Sequence, residues 1–267
     1  MSFLHTIIYL PIFNSLMWLE KVLPGHDLGL AIIIVTLVIR LILYVPTLSA
    51  IRSSRQMQSL QPRLKELQAK YKDDKETLAR EQMKLYKESK VNPASSCLPM
   101  IIQLVVFYYL YTVFLNGIKI DEQGLLHPDQ IKNLYAGLQP YFQTHVINTH
   151  LFSFLDLTKS GNYVLALLTA AAQFWQTKML AAPKEPNVPG AKDESMLAAT
   201  NRSMTYTLPL IIGFIVYRAP AGLGLYWLVT ALFSIVQQYF FLRQHPLVPP
   251  TTPSDSTPAL NPPNATS

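Results

Sequence analysis

Apolar residues in this chain come in long runs parted by short polar stretches, and five of the runs approach the length that crosses a bilayer. They occupy residues 28–49, 95–116, 163–181, 204–218 and 223–242. The third carries Gln173, Gln176 and Lys178, and the fourth is short, so bilayer thinning or burial against neighbours is expected there. Pro220 and Gly222 mark a tight turn, 219–222, between the last two. Ahead of the first run, residues 1–27 spread Ile7, Ile12, Phe13, Leu16 and Met17 over much of a helix surface, with Trp18 beside them. This predicts an interfacial helix lying on the outer leaflet, with an uncleaved signal anchor as the alternative.

Between the first two runs, residues 50–94 change period. Met57, Leu60, Leu64, Leu67 and Tyr71 follow 3-4-3-4 spacing, and Ala79, Met83 and Tyr86 repeat it after the polar Lys72–Lys75 turn. The pattern predicts an antiparallel helical hairpin with Leu64, Leu67, Tyr71, Met83 and Tyr86 on its seam. A charged solvated linker would fit the composition but not the seam. Pro62 requires the first arm to start or kink there.

Half of the 267 residues are apolar and only 14% are charged, against roughly a quarter charged in ordinary soluble domains. The expected fold class is therefore an all-α polytopic membrane protein with five transmembrane helices. A pI near 9.3 would suit a nucleic-acid binder, but the basic residues lie in loops beside the apolar runs. Orientation bias and anionic headgroups account for them, and no specific nucleic acid is expected. Residues 50–94 hold eleven Lys and Arg, whereas 117–162 hold only Lys119, Lys132 and Lys159. The positive-inside rule puts the hairpin in the cytoplasm and the 117–162 loop outside. Alternation then places the N-terminus outside, and the 182–203 loop and residues 243–267 inside. Arg218 alone dissents. The proline-rich tail, with seven prolines from Pro246 onward, is expected to be disordered. Cys97 is the only cysteine, which excludes a disulfide framework and a Cys/His metal cluster; a packed, inert thiol is expected. The start of the chain lacks the pattern of a cleaved signal peptide.

Arg40 sits deep in the first apolar run. An arginine at that depth costs about 2.5–3.5 kcal/mol on insertion scales and cannot lose its proton. Either it lines a hydrated intramembrane cavity, or it snorkels part of the way to the inner interface with Tyr44 as an ordinary belt residue. Thr36 and Tyr44, at i−4 and i+4, would share its helix face. Gln103 is the only amide between Leu98 and Leu115; Gln173 and Gln176 lie in the third run, and Trp227, Thr230, Ser234 and Gln237 in the fifth. No span contains Asp or Glu, so neither a buried ion pair nor a carboxylate proton relay is available to Arg40. The six histidines fall outside the spans, and no protease, hydrolase or P-loop motif is present. Neither catalysis nor a cofactor nor a metal is expected.

Several motifs together resemble the YidC/Oxa/Alb family of membrane protein insertases. The stretch from Asn92-Pro93 through Cys97-Leu98-Pro99 to Gln103 resembles the start of that family's second core span. Pro220-Ala-Gly222-Leu-Gly-Leu-Tyr226-Trp227 is similar to its turn into the last span, and Leu155-Asp156-Leu157-Thr158-Lys159 to the approach to the third. Gln61 to Tyr71 and Glu81 to Tyr86 resemble its cytoplasmic hairpin. The likeness runs over residues 5–243 in family order. It implies five helices around a hydrophilic groove, open to cytoplasm and lipid but closed outside. Arg40 would be the groove's charge, with Thr36, Tyr44, Gln103, Trp227 and Gln173 as lining. The implied partners are nascent membrane proteins with short hydrophilic tails, in the lipid bilayer of a bacterial plasma membrane. A Sec translocon and the ribosome are further candidate partners. Ser96, Val105 and Ala231 depart from the residues common in the family, and neither a basic C-terminal tail nor a large outer domain is expected. Two other readings remain open: a small transporter or channel for an anionic solute, which should show internal repeats, and an assembly scaffold without insertase activity.

Overall fold

The computed structural model describes residues 3–72, 74–89, 91, 98–181 and 196–244. The expectations for Cys97 and the Asn92-Pro93 motif, for most of the 182–203 loop and for the proline-rich tail lie outside these residues. The chain forms α1 (Leu10–Val22), α2 (Leu28–Ile42), α3 (Tyr44–Ser59), α4 (Gln61–Lys70), α5 (Lys75–Glu88) and α6 (Leu98–Thr112). Two short helices follow, α7 (Pro128–Ile131) and α8 (Gln139–Phe142), then an antiparallel pair, β1 (His150–Leu151) and β2 (Leu155–Asp156). The chain ends in α9 (Tyr163–Leu180), α10 (Met196–Arg218) and α11 (Ala221–Gln244). Among the described residues α11 alone is long and apolar enough to cross a membrane, and α2 with α3 meets the same test as a pair bent by 60°.

That bend departs from the single span 28–49. Its cause is Pro46, which lacks the N–H that would bond the Ile42 carbonyl and whose ring clashes with it. The helix therefore breaks at Leu43 and restarts at Tyr44. The start of α2 is set by Asp27, whose Oδ1 accepts from the Leu30 N–H at 3.0 Å while Oδ2 accepts from the Phe152 N–H at 2.8 Å. One carboxylate thus caps a helix and anchors the β1–β2 turn, where Phe152 and Ser153 adopt positive φ. Asn162 caps α9 in the same way, through the Leu165 N–H at 2.9 Å.

Helix α9 packs along α10 and α11, α11 packs on α2, and α2 on α1. The main core gathers at one end of these helices. Phe13, Leu16 and Met17 of α1 meet Leu28 and Ile32 of α2, Leu110 of α6, Leu223 and Tyr226 of α11, and Phe142 and Leu157 of the connecting segment. Phe13, Leu16 and Met17 are fully buried, so one face of α1 packs on protein, including the 117–162 segment. Phe3, Leu4, Ile7, Trp18 and Val22 turn outward. Asn14 fastens the contact: its Nδ2 donates to the Asn133 carbonyl at 3.0 Å and its Oδ1 accepts from the Tyr135 N–H at 2.6 Å.

Helices α4 and α5 lie side by side around a small cluster of Leu60, Leu64 and Val91 with Met57, Leu85 and Tyr86. Leu67 and Tyr71 are half-buried, but Met83 is 52% exposed and does not belong to the seam. Asp74 caps α5 through the Thr77 N–H at 3.0 Å, which sets the phase of that helix. With Leu85 turned inward, Met83 lies two residues, or about 200°, away from it. Pro62 falls in the first turn of α4, where its missing N–H costs nothing.

Candidate functional site: a polar chain between apolar helices

Arg40, half-buried near the end of α2, donates from Nη2 to Oε1 of Gln103 on α6 at 2.5 Å. The Gln103 amide passes the contact on, Nε2 donating to the Tyr226 hydroxyl of α11 at 2.5 Å. Three helices are thus joined by guanidinium, amide and phenol. Among the described residues α2, α6, α9, α10 and α11 contain no Asp or Glu. Among the described residues, the acceptor that meets the charge is a neutral amide.

Tyr226 escaped the sequence reading, which took its neighbour Trp227. Both fit the helical spacing to Thr230, Ser234 and Gln237, and a rotation of about 100° decides between them. Tyr226 is 1% exposed and heads a buried polar stripe of Thr230, Ser234 and Gln237. Trp227 turns from this stripe and packs edge-on against Phe107 at 4.8 Å. Thr36 is buried, but its Oγ1 donates to the Ile32 carbonyl at 2.6 Å, so the hydroxyl is spent on its own helix. Tyr44 lies beyond the Leu43 break and so does not continue the Thr36–Arg40 stripe. Its carbonyl accepts from Nε2 of Gln237 at 3.1 Å, which ties the restart of the helix to α11. Gln173 is buried in α9, whose extensive contacts are with α10 and α11. Of the residues expected around Arg40, then, Gln103 is brought to it directly, and Tyr226 is added.

The remaining motifs meet at the start of α11, about one turn before Tyr226. The Ala221 and Gly222 N–H groups, which a helix start leaves unpaired, donate to the Lys159 and Leu157 carbonyls at 2.8 and 2.9 Å. The Gly161 N–H donates to the Tyr217 carbonyl at 2.8 Å. A Cβ on Gly222 would strike the Phe114 ring, so only glycine admits this approach. Pro220-Ala-Gly222 and Leu155–Lys159 are therefore two halves of one backbone joint, and it fixes where Tyr226 stands. Buried polar atoms without hydrogen-bond partners include Thr169 Oγ1 and Gln238 Oε1.

The sequence profile of the family described as 60Kd inner membrane protein matches residues 18–247. The chain is 35% identical over 217 residues to membrane protein insertase YidC of Francisella tularensis subsp. novicida (strain U112). The same holds for YidC of subsp. tularensis (strain SCHU S4 / Schu 4). These alignments cover 81% of this chain and 33% of the relatives, so it spans about a third of their length. A crystal structure of active YidC insertase with its first transmembrane domain resolved superposes with a TM-score of 0.55 at 23% identity, over 90% of this chain and 47% of that one. That likeness is one of fold. With the profile covering most of its length, the chain belongs to the 60Kd inner membrane protein family, the YidC/Oxa/Alb family.

Proposed function

We propose that this chain is a membrane protein insertase, not an enzyme, and that Arg40 is the charge that receives the hydrophilic tails of its clients. In this reading α2 with α3, α6, α9, α10 and α11 supply five spans, with the N-terminus outside, the C-terminus in the cytoplasm, and the α4–α5 hairpin exposed to incoming substrate. Large exposed side chains such as Leu41, Val45, Leu167, Leu210, Phe214 and Val236 support a lipid surroundings for these helices. The dense core around Phe13, Phe142 and Leu157 supports a closed outer end. The observation that carries the proposal is the Arg40–Gln103–Tyr226 chain. Gln103 engages one Arg40 nitrogen, and a partly buried guanidinium with five N–H donors can bind a carboxylate or backbone carbonyls of an entering segment. Partly unsatisfied polar atoms on α9 and α11 fit an interior that exchanges partners with water or substrate. A polar tail crossing beside such groups is spared much of the cost of bare hydrocarbon, and the client's apolar segment is then released to lipid. Nascent membrane proteins are the substrates in this reading.

The test is insertion of a single-span client with an acidic outer tail into proteoliposomes containing only this protein, scored by protease protection of the tail. Arg40→Ala should reduce protection at least tenfold, and Arg40→Lys should restore part of it. Insertion that persists with Arg40→Ala removes the role of the charge while leaving the insertase. No insertion by the folded wild-type chain would favour an assembly scaffold.

A further inference from the structure

The outer end holds a side-chain cluster that the insertase reading does not use. Glu20, on α1, is fully buried, and its Oε1 lies 3.0 Å from Nε2 of His145, which follows α8. Its Oε2 is also buried and has no hydrogen-bond partner; the Asn148 backbone amide approaches the carboxyl without closing a bond of ordinary geometry. His26 closes the group. Its Nδ1 is 3.1 Å from the Glu20 carbonyl and 3.3 Å from the Tyr141 hydroxyl, and its ring meets that of His145 edge-on at 4.7 Å. Tyr141 stacks on His145 at 4.3 Å. One oxygen of Glu20 and one nitrogen of each imidazole lie within 4.8 Å of one another. His26 holds this position with φ of +51°, uncommon for a residue with a side chain. Burial pushes the Glu20 carboxyl up to about 7, against the pull of His26, and burial beside His26 holds His145 below the usual histidine range.

We propose that Glu20, His26 and His145 form a binding site for a borderline-soft divalent metal ion of the zinc class, which clasps the N-terminal helix to the outer loop. One carboxylate with two imidazoles is a zinc donor set; Mg²⁺ and Ca²⁺ favour oxygen ligands throughout. With metal–ligand bonds near 2.0–2.1 Å, tetrahedral ligand atoms stand roughly 3.3 Å apart, and Glu20 and His145 are already at 3.0 Å. Closing His26 onto them requires it to move in from a spacing within 4.8 Å. The Glu20 carbonyl and Tyr141 hydroxyl supply the outer contacts that orient a ligating imidazole. A dication would also answer the buried Oε2, which no donor among the described residues does. No spacing motif announces the site, because its parts come from α1, the Pro24–His26 turn and a loop more than 100 residues on. The inference does not depend on Arg40 or on insertion.

The test uses the full chain without a histidine tag, in detergent micelles, stripped with a chelator and then titrated with Zn²⁺, Mg²⁺ or Ca²⁺. Zn²⁺ should bind at one equivalent per chain with a micromolar or tighter Kd and raise Tm by several degrees, while Mg²⁺ and Ca²⁺ leave Tm unchanged. Glu20→Gln and His145→Ala should weaken Zn²⁺ binding at least tenfold, and His127→Ala, at an exposed site, should not. Should the variants fail to fold, Co²⁺ loaded into the wild-type chain decides. Intense visible bands of a tetrahedral site support the proposal, and the weak bands of hydrated Co²⁺ overturn it. Stoichiometric Zn²⁺ binding that survives Glu20→Gln and His145→Ala also overturns it, as does the absence of binding; the Glu20–His145 contact would then be a metal-free hydrogen-bonded pin.

Discussion

Gln103 spends both ends of its amide, the oxygen on Arg40 and the nitrogen on Tyr226, so neither neighbour can be understood without it. Gln103→Leu leaves a charged donor without its acceptor and should destabilise the fold by about 1–3 kcal/mol. Tyr226→Phe removes only the far end of the chain and should cost about 0.5–1.5 kcal/mol. Because both substitutions delete the same Gln103–Tyr226 bond, the double variant should cost less than their sum by about 0.5 kcal/mol or more. Unfolding of the four proteins in detergent closes the cycle, and strict additivity would mean the three groups do not act as one network. Arg40 and Gln103 are legible in the sequence for a simple reason: a charge or an amide inside an apolar run has no solvent and must find a partner. Tyr226 is not legible in that way. A tyrosine beside a tryptophan at the end of an apolar run looks like an interface anchor, and only the rotation set by the Leu157–Gly222 joint turns its hydroxyl inward.

At the scale of elements, apolar runs announce helices more clearly than they announce breaks within them. The break at Leu43 is written in Pro46, yet the surrounding residues are apolar enough for 28–49 to pass as one span. In the hairpin, Leu64 and Tyr86 reach the seam while Met83 turns outward, because spacing alone does not settle which residues of a helix face its partner. The packed state of α1 is hidden for another reason. Its covering surface is a loop with little regular structure, whose folding back over Phe13 and Met17 has no local signature. Asp27 joins these two worlds, capping α2 with one oxygen and holding Phe152 with the other. Asp27→Ala should therefore cost more than an ordinary cap, about 1.5–3 kcal/mol, and Asp27→Asn should recover part of it. Thermal unfolding of the two variants beside wild type checks the order. Equal stability of Asp27→Ala and wild type would mean that neither hydrogen bond contributes.

For the whole molecule the question is which end faces the cytoplasm. The hydrophobic pattern cannot decide this, since a bundle reads the same in either orientation. The deciding quantity is the distribution of Lys and Arg: eleven in residues 50–94 against three in 117–162. The packing is asymmetric in the same sense. The dense core of Phe13, Leu110, Phe142 and Leu157 sits at the end with few basic residues, and Arg40 lies toward the other, next to the bend. If the charge bias governs, the tightly packed end is outside and the polar chain opens inward, as a receiver of cytoplasmic tails requires. The single cysteine makes the test direct. In a Cys97→Ser background, Glu122→Cys and Met83→Cys place thiols at two positions that are exposed in the fold, one in the 117–162 loop and one on the hairpin. A membrane-impermeant maleimide added to intact spheroplasts should label Glu122→Cys at once and Met83→Cys only after lysis. The reverse pattern would invert the molecule and, with it, put Arg40 out of reach of any client arriving from the cytoplasm. Labelling of both thiols before lysis would show a mixed orientation that the charge bias does not allow.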